Sequence, residues 1–288
     1  MTKRTATFIG FIAVLLWALL ALFTVGAREV PALQLNAVCF AIGGTIGVIW
    51  TTASKRWHEL KNVPLSIYAF GTVGLFGYHF LYFSALKAAP PAEAGLIAYL
   101  WPLLIVLFSG LLPGETLRPL HLVGAGLSFV GAALIVAKGA SFSGGHMTGY
   151  LLASACALTW SSYSVISRRL GSVSSMVVTV YCLATAVLSL LAHLALEETV
   201  WPSSQAGWLS MIALGLGPVG AAFYVWDIGV KRGNIQLLGT ASYAAPLLST
   251  LVLVGAGIAE PRATLILSAV LITAGAGLAA FASRQTGS

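Results

Sequence analysis

Few residues in this chain could carry chemistry, and nearly all of them lie inside apolar runs. His79 is the only histidine near the middle of such a run; Tyr78 precedes it and Tyr82 follows within one helical turn. Ionisable groups at that depth are rare and tend to face protein or a cavity. An imidazole there could meet a carboxylate or relay a proton. Asp227 stands near one end of its run with Lys231 at i+4, the spacing of a local ion pair. Glu93 sits in the first turn after Pro91, and Glu115 and Glu260 are expected to open the fifth and tenth helices, where a carboxylate complements a helix dipole. Cys39, Cys156 and Cys182 show no CxxC or Cys/His spacing and read as small buried residues. No HExxH, no paired catalytic carboxylates and no Ser/Lys or Ser/His constellation occurs at depth, which argues against an enzyme. Nothing in the pattern calls for a metal or a cofactor.

The aromatic residues are more informative. Trp17, Tyr78, Tyr82, Tyr99, Trp101, Trp160, Tyr163 and Tyr243 all fall well inside apolar runs. Interfacial belts account for Trp50, Trp57, Trp201 and Trp208 near run ends, but not for these eight. Their OH and NH groups need partners away from water. Together with His79 they could line a pocket for a ring or an ammonium group, by stacking and cation–π contact. Ser161, Ser162 and Ser164 could add hydroxyls beside Trp160 and Tyr163. No Arg or Lys lies among them, so a strongly anionic ligand such as a sugar phosphate is disfavoured. A zwitterion or a hydrophobic cation suits such a lining.

The elements that must hold these residues are membrane helices. The chain is 58% hydrophobic and 8% charged, against about 25% charged in soluble domains. Ten runs are long enough to cross a bilayer, at about 5–25, 33–52, 65–87, 92–112, 120–137, 148–168, 174–196, 208–231, 235–255 and 263–281. Pro31, Pro64, Pro90-Pro91, Gly139, Gly171, Pro202, Gly233-Asn234 and Pro261 punctuate the breaks. Lys3 and Arg4 ahead of the first run resemble a signal peptide, but that run is long enough to span and carries Trp17. With the N-terminus in the cytoplasm, eleven of the fifteen Lys and Arg fall inside and only Arg28, Lys87, Lys138 and Arg262 outside. That bias expects both termini to be cytoplasmic, and it accounts for the net charge of +7 without nucleic acid.

The chain repeats itself at half its length. Tyr99 and Tyr243, Pro102 and Pro246, and Lys87 and Lys231 are each 144 residues apart in a chain of 288. Trp17 and Trp160 match at 143 and Glu115 and Glu260 at 145. Such self-similarity indicates duplication. Five spans per copy is an odd number, so the second copy enters from the opposite face. The expected fold is an all-α membrane protein of ten transmembrane helices in two inverted five-helix repeats, 1–140 and 146–288, forming a single domain. Inverted repeats meeting at the midplane are a common plan for secondary transporters. Pro102 and Pro246, central in matching runs, are expected to break two helices along the pathway, because freed carbonyls must face protein or water. Close glycines (Gly71, Gly74, Gly77; Gly124, Gly126; Gly215, Gly217, Gly220; Gly275, Gly277) are expected at tight helix contacts.

The segment Pro91 to Val136, with Trp101-Pro102 and the Gly114-Glu115 break, resembles the ten-helix EamA-type branch of the drug/metabolite transporter superfamily. Asn234 to Phe281 repeats the motif with Ala259-Glu260 in place of Gly-Glu. Within that branch, Trp17, Tyr78-His79, Tyr82, Tyr99 and Trp101 resemble exporters of aromatic and other amino acids. The resemblance implies a bacterial inner membrane, export of small amphipathic metabolites by alternating access, no ATP and no prosthetic group. Efflux of cationic or apolar toxic compounds is the alternative in the same fold. A channel is disfavoured, since no ring of matched polar residues suggests a filter. The preferred solute, the coupling ion and the oligomeric state stay open.

Overall fold

A computed structural model describes residues 1–137 and 139–284. Lys138, placed on the outer side above, and residues 285–288 of the second repeat lie outside them. The described residues form ten long helices: α1 Lys3–Gly26, α2 Ala32–Ala53, α3 Leu65–Ala88, α4 Pro91–Ser109, α5 Pro119–Val136, α6 Met147–Arg169, α7 Val177–Leu196, α8 Gln205–Arg232, α9 Ile235–Gly255 and α10 Ala263–Arg284. Nine are apolar enough to cross a membrane by composition alone. The tenth, α6, is as long but carries Ser154, Ser161, Ser162, Ser164 and Ser167. It packs against α3, α4 and α8, so protein rather than lipid surrounds much of it. A sheltered span need not match the hydropathy of hydrocarbon.

The packing follows the duplication. The most extensive contacts are α5 with α10, α2 with α7, α3 with α6, and α1 with α8. Exchanging the two copies maps the first two pairs onto themselves and the last two onto each other. The fold is therefore two inverted five-helix repeats related by an approximate two-fold axis.

Small residues set the close approaches. A Cβ built on Gly10 of α1 would fall 2.8 Å from the Gly229 Cα of α8, and one on Gly43 would fall 2.9 Å from the Gly220 Cα. On Gly124 of α5 it would meet the Gly275 carbonyl oxygen of α10 at 2.5 Å. Gly71 and Gly74 receive the rings of Tyr181 and Tyr163. Gly126 and Gly277, expected at such contacts, have nothing within 4 Å. Between apolar helices a polar link adds hold: Asn36 of α2 donates through Nδ2 to the Ser189 hydroxyl of α7 at 2.7 Å.

Four helices are interrupted. α1 pauses at Leu19, α4 at Tyr99–Leu100, α8 at a wide turn over Gly217–Ala221 that contains Pro218, and α9 at Ser242–Tyr243. The breaks in α4 and α9 lie just ahead of Pro102 and Pro246, each of which lacks an amide N–H and crowds the preceding turn. In α4 the next amide, that of Leu103, donates instead to the Tyr243 hydroxyl at 3.0 Å. A side chain of one copy thus satisfies the backbone broken in the other.

Glu115 and Glu260 do not open helices five and ten. α5 begins at Pro119 and α10 at Ala263, so both carboxylates belong to the preceding turns. Gly114 adopts φ +78° ahead of Glu115. In the second copy the left-handed residue is Gly257, at φ +71°, and not position 259. Ala259 therefore replaces the motif glycine without strain.

Candidate functional site

Four tryptophans from four helices meet at the junction of the two copies. Trp17 (α1), Trp101 (α4), Trp160 (α6) and Trp226 (α8) lie pairwise with ring centroids 5.1–6.4 Å apart. Most of these contacts are edge-to-face or tilted, geometries that the ring quadrupoles favour. The break in α4 ends immediately before Trp101, which sets the ring's direction. Trp226 is 0% exposed and donates its indole N–H to the Ser164 hydroxyl at 3.1 Å. The indole N–H is thus spent within the protein, and Ser164 is itself 0% exposed.

Trp226 is absent from the residues singled out by sequence. The repeat register would have found it, because 226 lies 144 beyond Tyr82. The same register pairs Phe223 with His79, and the two rings sit 5.8 Å apart. The centre of the molecule is thus built from partners related by the two-fold: Trp17 with Trp160, Tyr82 with Trp226, His79 with Phe223.

A second group from α3 and α4 continues the cluster. Tyr78 packs on Trp160 at 5.3 Å and stacks parallel to Tyr82 at 6.3 Å. Tyr99 meets Trp101 at 6.5 Å. The hydroxyls of Tyr78, Tyr82 and Tyr99 lie within electrostatic reach of one another. Among the described residues none of the three has a hydrogen-bond partner, and none is a buried unsatisfied group. All three residues are half-buried, Tyr78 and Tyr82 within α3 and Tyr99 in the break of α4. The three hydroxyls thus stand near one another, none of them wholly buried, beside the aromatic cluster.

His79 is clamped between Phe40 at 5.0 Å and Phe223. Its Nδ1 is 2.8 Å from the Leu75 carbonyl oxygen. A carbonyl only accepts, so Nδ1 carries the proton and a neutral ring leaves Nε2 as an acceptor. Trp17 is also half-buried, whereas Trp101, Pro102, Trp160, Tyr163 and Tyr243 are buried. Tyr163 stacks on Trp160 at 5.1 Å and on Phe70 at 5.5 Å. Tyr243 lies apart, against Phe129 and the α4 backbone, and Pro246 is buried beside it. The structure thus brings together Trp17, Tyr78, His79, Tyr82, Tyr99, Trp101 and Trp160, and sets Tyr163, Tyr243 and Pro246 behind them.

The charged groups are tied up elsewhere. Asp227 pairs with Lys231 at 2.9 Å, their side chains 1% and 2% exposed, so the pair is enclosed by protein. Glu93 accepts from the Ser141 amide at 2.8 Å and from the Tyr150 hydroxyl, tying α4 to α6. Glu115 holds Arg168 of α6 through Nε at 3.0 Å and through Nη2, accepts from Gln236 Nε2 of α9 at 3.3 Å, and has Lys3 of α1 at 4.0 Å. Among the described residues no three His, Cys, Asp or Glu are placed to hold a metal.

Comparison with known proteins agrees with this architecture. The model of the EamA-like transporter family matches twice, over residues 4–137 and 147–281. The aromatic amino acid exporter YddG of Ancylobacter novellus is 51% identical over 99% of this chain and all of its own length. The exporter of the same name from Salmonella typhimurium is 24% identical over 87% of this chain and 88% of its own. A crystal structure 51% identical in sequence superposes with a TM-score of 0.94 over 98% of this chain and 99% of that one. Two family matches, one per copy, together with ten helices of this length and apolarity, make the chain a multi-pass membrane protein that belongs to the EamA-like transporter family.

Proposed function

We propose that this protein exports aromatic and other neutral amino acids across the bacterial inner membrane by alternating access between its repeats, 1–140 and 146–288. One observation carries the reading: three neighbouring tyrosine hydroxyls without hydrogen-bond partners among the described residues stand beside an aromatic cluster at the junction of the repeats. The names of relatives similar over nearly the whole chain point the same way. The Tyr78, Tyr82 and Tyr99 hydroxyls donate to the solute carboxylate, and His79 Nε2 accepts from its ammonium. Trp17, Trp101 and Trp160 offer ring faces and edges to an aromatic side chain, and ring faces also attract the ammonium. Tyr163, Tyr243, Pro102 and Pro246 shape the pathway from behind. No net charge lines the space, which matches a solute whose own charges cancel.

Both termini are cytoplasmic in this reading, as the Lys and Arg distribution favours. Glu115 and Arg168 then close the cytoplasmic face, where they tie α6 to the α4–α5 turn. By the 144-residue register Thr24 and Val25 of α1 stand where Arg168 and Arg169 stand in the second copy, and Glu260 has no ion-pair partner among the described residues.

Uptake into proteoliposomes tests the proposal. Tryptophan, phenylalanine and a branched aliphatic amino acid should compete for one saturable, counter-substrate-stimulated flux. The Tyr78→Phe/Tyr82→Phe/Tyr99→Phe variant should raise the half-saturating concentration, and His79→Ala should insert normally but lose most transport. Inhibition by cationic dyes with none by amino acids would reject the reading.

A further inference from the structure

A hollow away from the aromatic centre lies at the end of the molecule that carries Lys3 and Glu115. Its volume is about 460 Å³, within the ~300–1,000 Å³ typical of ligand sites. Three connections form it: α2–α3, α6–α7 and α8–α9. Its polar lining is Arg56, Glu59, Asn62, Ser172, Ser174 and Arg232. Arg56 is held rigid, donating through Nε and Nη2 to Glu59 at 2.6 and 2.8 Å and through Nη2 to Ser174 at 3.4 Å. That pairing cancels the only carboxylate in the lining. Arg232 is exposed and has no ion-pair partner among the described residues, so its charge is the cavity's net charge. The Ser172 hydroxyl is likewise exposed and unpartnered.

The surroundings place this cavity at headgroup depth. Trp50 and Trp57, at the end of α2 and just beyond it, are 36% and 43% exposed, as interfacial aromatics are. Leu65, next to the lining Pro64, is 80% exposed and opens the span that enters hydrocarbon. A cationic, hydroxyl-lined hollow above an exposed aliphatic residue matches a phosphate with acyl chains attached. Basic pockets between membrane helices bind anionic headgroups by this arrangement.

We propose that this cavity is a binding site for a phosphate oxyanion, with Arg232 as its principal cation, Ser172 and Asn62 as hydrogen-bond donors, and the phosphate of an anionic phospholipid as the occupant. The site is separate from the proposed solute pathway and does not depend on the identity of the exported solute.

Native mass spectrometry of the purified full chain, titrated with phosphatidylglycerol, phosphatidylcholine or inorganic phosphate, tests it. Phosphatidylglycerol should bind more tightly than phosphatidylcholine, and Arg232→Gln should weaken it about fivefold, the worth of one basic residue at an anionic surface. The effect should fade as salt rises. Arg232 is exposed, so its replacement leaves the fold intact, and an unchanged melting temperature checks this. Ser172→Ala should weaken binding without touching any charge. Competition by inorganic phosphate would support the oxyanion chemistry. Binding of phosphate with no preference between the two lipids would keep the site and reject the lipid as its source. Equal binding of both lipids with no phosphate effect, or wild-type affinity in Arg232→Gln, would overturn the proposal.

Discussion

Asp227→Asn is the perturbation whose outcome says most about how this bundle holds its charges. Asp227 Oδ2 lies 2.9 Å from Lys231 Nζ, and both side chains are at most 2% exposed. The ammonium has one further partner, the Val173 carbonyl oxygen at 3.2 Å. At an effective dielectric of about 20, attraction across that distance is roughly 6 kcal/mol. Desolvation removes several kcal/mol per ion, so the net worth of the pair is small. Removing one partner is different, because the other charge stays buried. The single Asp227→Asn change should therefore destabilise by about 3–5 kcal/mol. Lys231→Met should destabilise by a similar amount, because it leaves the Asp227 carboxylate buried without its partner. The double variant Asp227→Asn/Lys231→Met should recover most of the loss. Thermal melting in detergent, with the four proteins compared at one pH, reads the cycle, and uptake into liposomes follows it. A single variant that melts with the wild type would refute the reasoning, as would a double variant no better than the single. A double variant that is stable yet inactive would show that Asp227 serves transport, not packing.

Tyr243→Phe keeps the ring but leaves the Leu103 amide unpaired, and should destabilise by about 1–3 kcal/mol while the half-saturating concentration stays put; a shifted half-saturation at unchanged stability would place Tyr243 in contact with solute instead. Glu115→Gln should loosen α6 from the α4–α5 turn, seen as faster labelling of a cysteine introduced near Gln236 and as a changed exchange rate; unchanged labelling would remove the pair from gating. The Glu59 carboxyl, outside the spans, is held down to about 2 by hydrogen bonds from Arg56 and Ser174. A depressed acid stabilises above its ordinary value near 4.5 and loses that contribution as pH falls toward 2. Because the pair is partly exposed, Glu59→Gln should cost less than about 1 kcal/mol at neutral pH, and wild type and variant should draw together in melting temperature as pH falls from 4.5 toward 2.

What could be read from the sequence follows from which forces are local. Span positions were legible because burial in lipid demands unbroken apolar length, and proline and glycine end those lengths. Even α6, too polar to pass for a span by composition, was placed by its length and by Trp160 standing 143 residues from Trp17. The α4 and α9 breaks were legible for a similar reason: a proline acts on its own preceding turn. Tertiary pairing was not legible. Nothing near Tyr243 says that its hydroxyl will receive an amide from the other copy, and nothing near Glu115 names Arg168, 53 residues away, as its partner. Asp227 shows both sides of this: its partner was visible at i+4, its enclosure was not, since enclosure depends on which helices surround α8.

Trp226 sharpens that boundary, because its place was encoded and passed over. A polar-tipped aromatic beside an intramembrane carboxylate draws attention to the charge, yet the repeat register assigns the tryptophan to the position that Tyr82 holds in the first copy. Duplication makes the copies equivalent in backbone while letting the side chains diverge. At the two-fold the divergence is functional in form. One copy contributes His79 and Tyr82, with an accepting nitrogen and a free hydroxyl, and the other contributes Phe223 and Trp226, whose only polar atom is spent on Ser164. A zwitterion needs donors and acceptors on one side and an apolar face on the other. A symmetric site would present both kinds of surface twice and orient such a solute poorly. In the proposed site, divergence at the axis sets a polar wall from His79 and Tyr82 against an aromatic wall from Phe223 and Trp226, the asymmetry that a solute polar at one end and apolar at the other calls for.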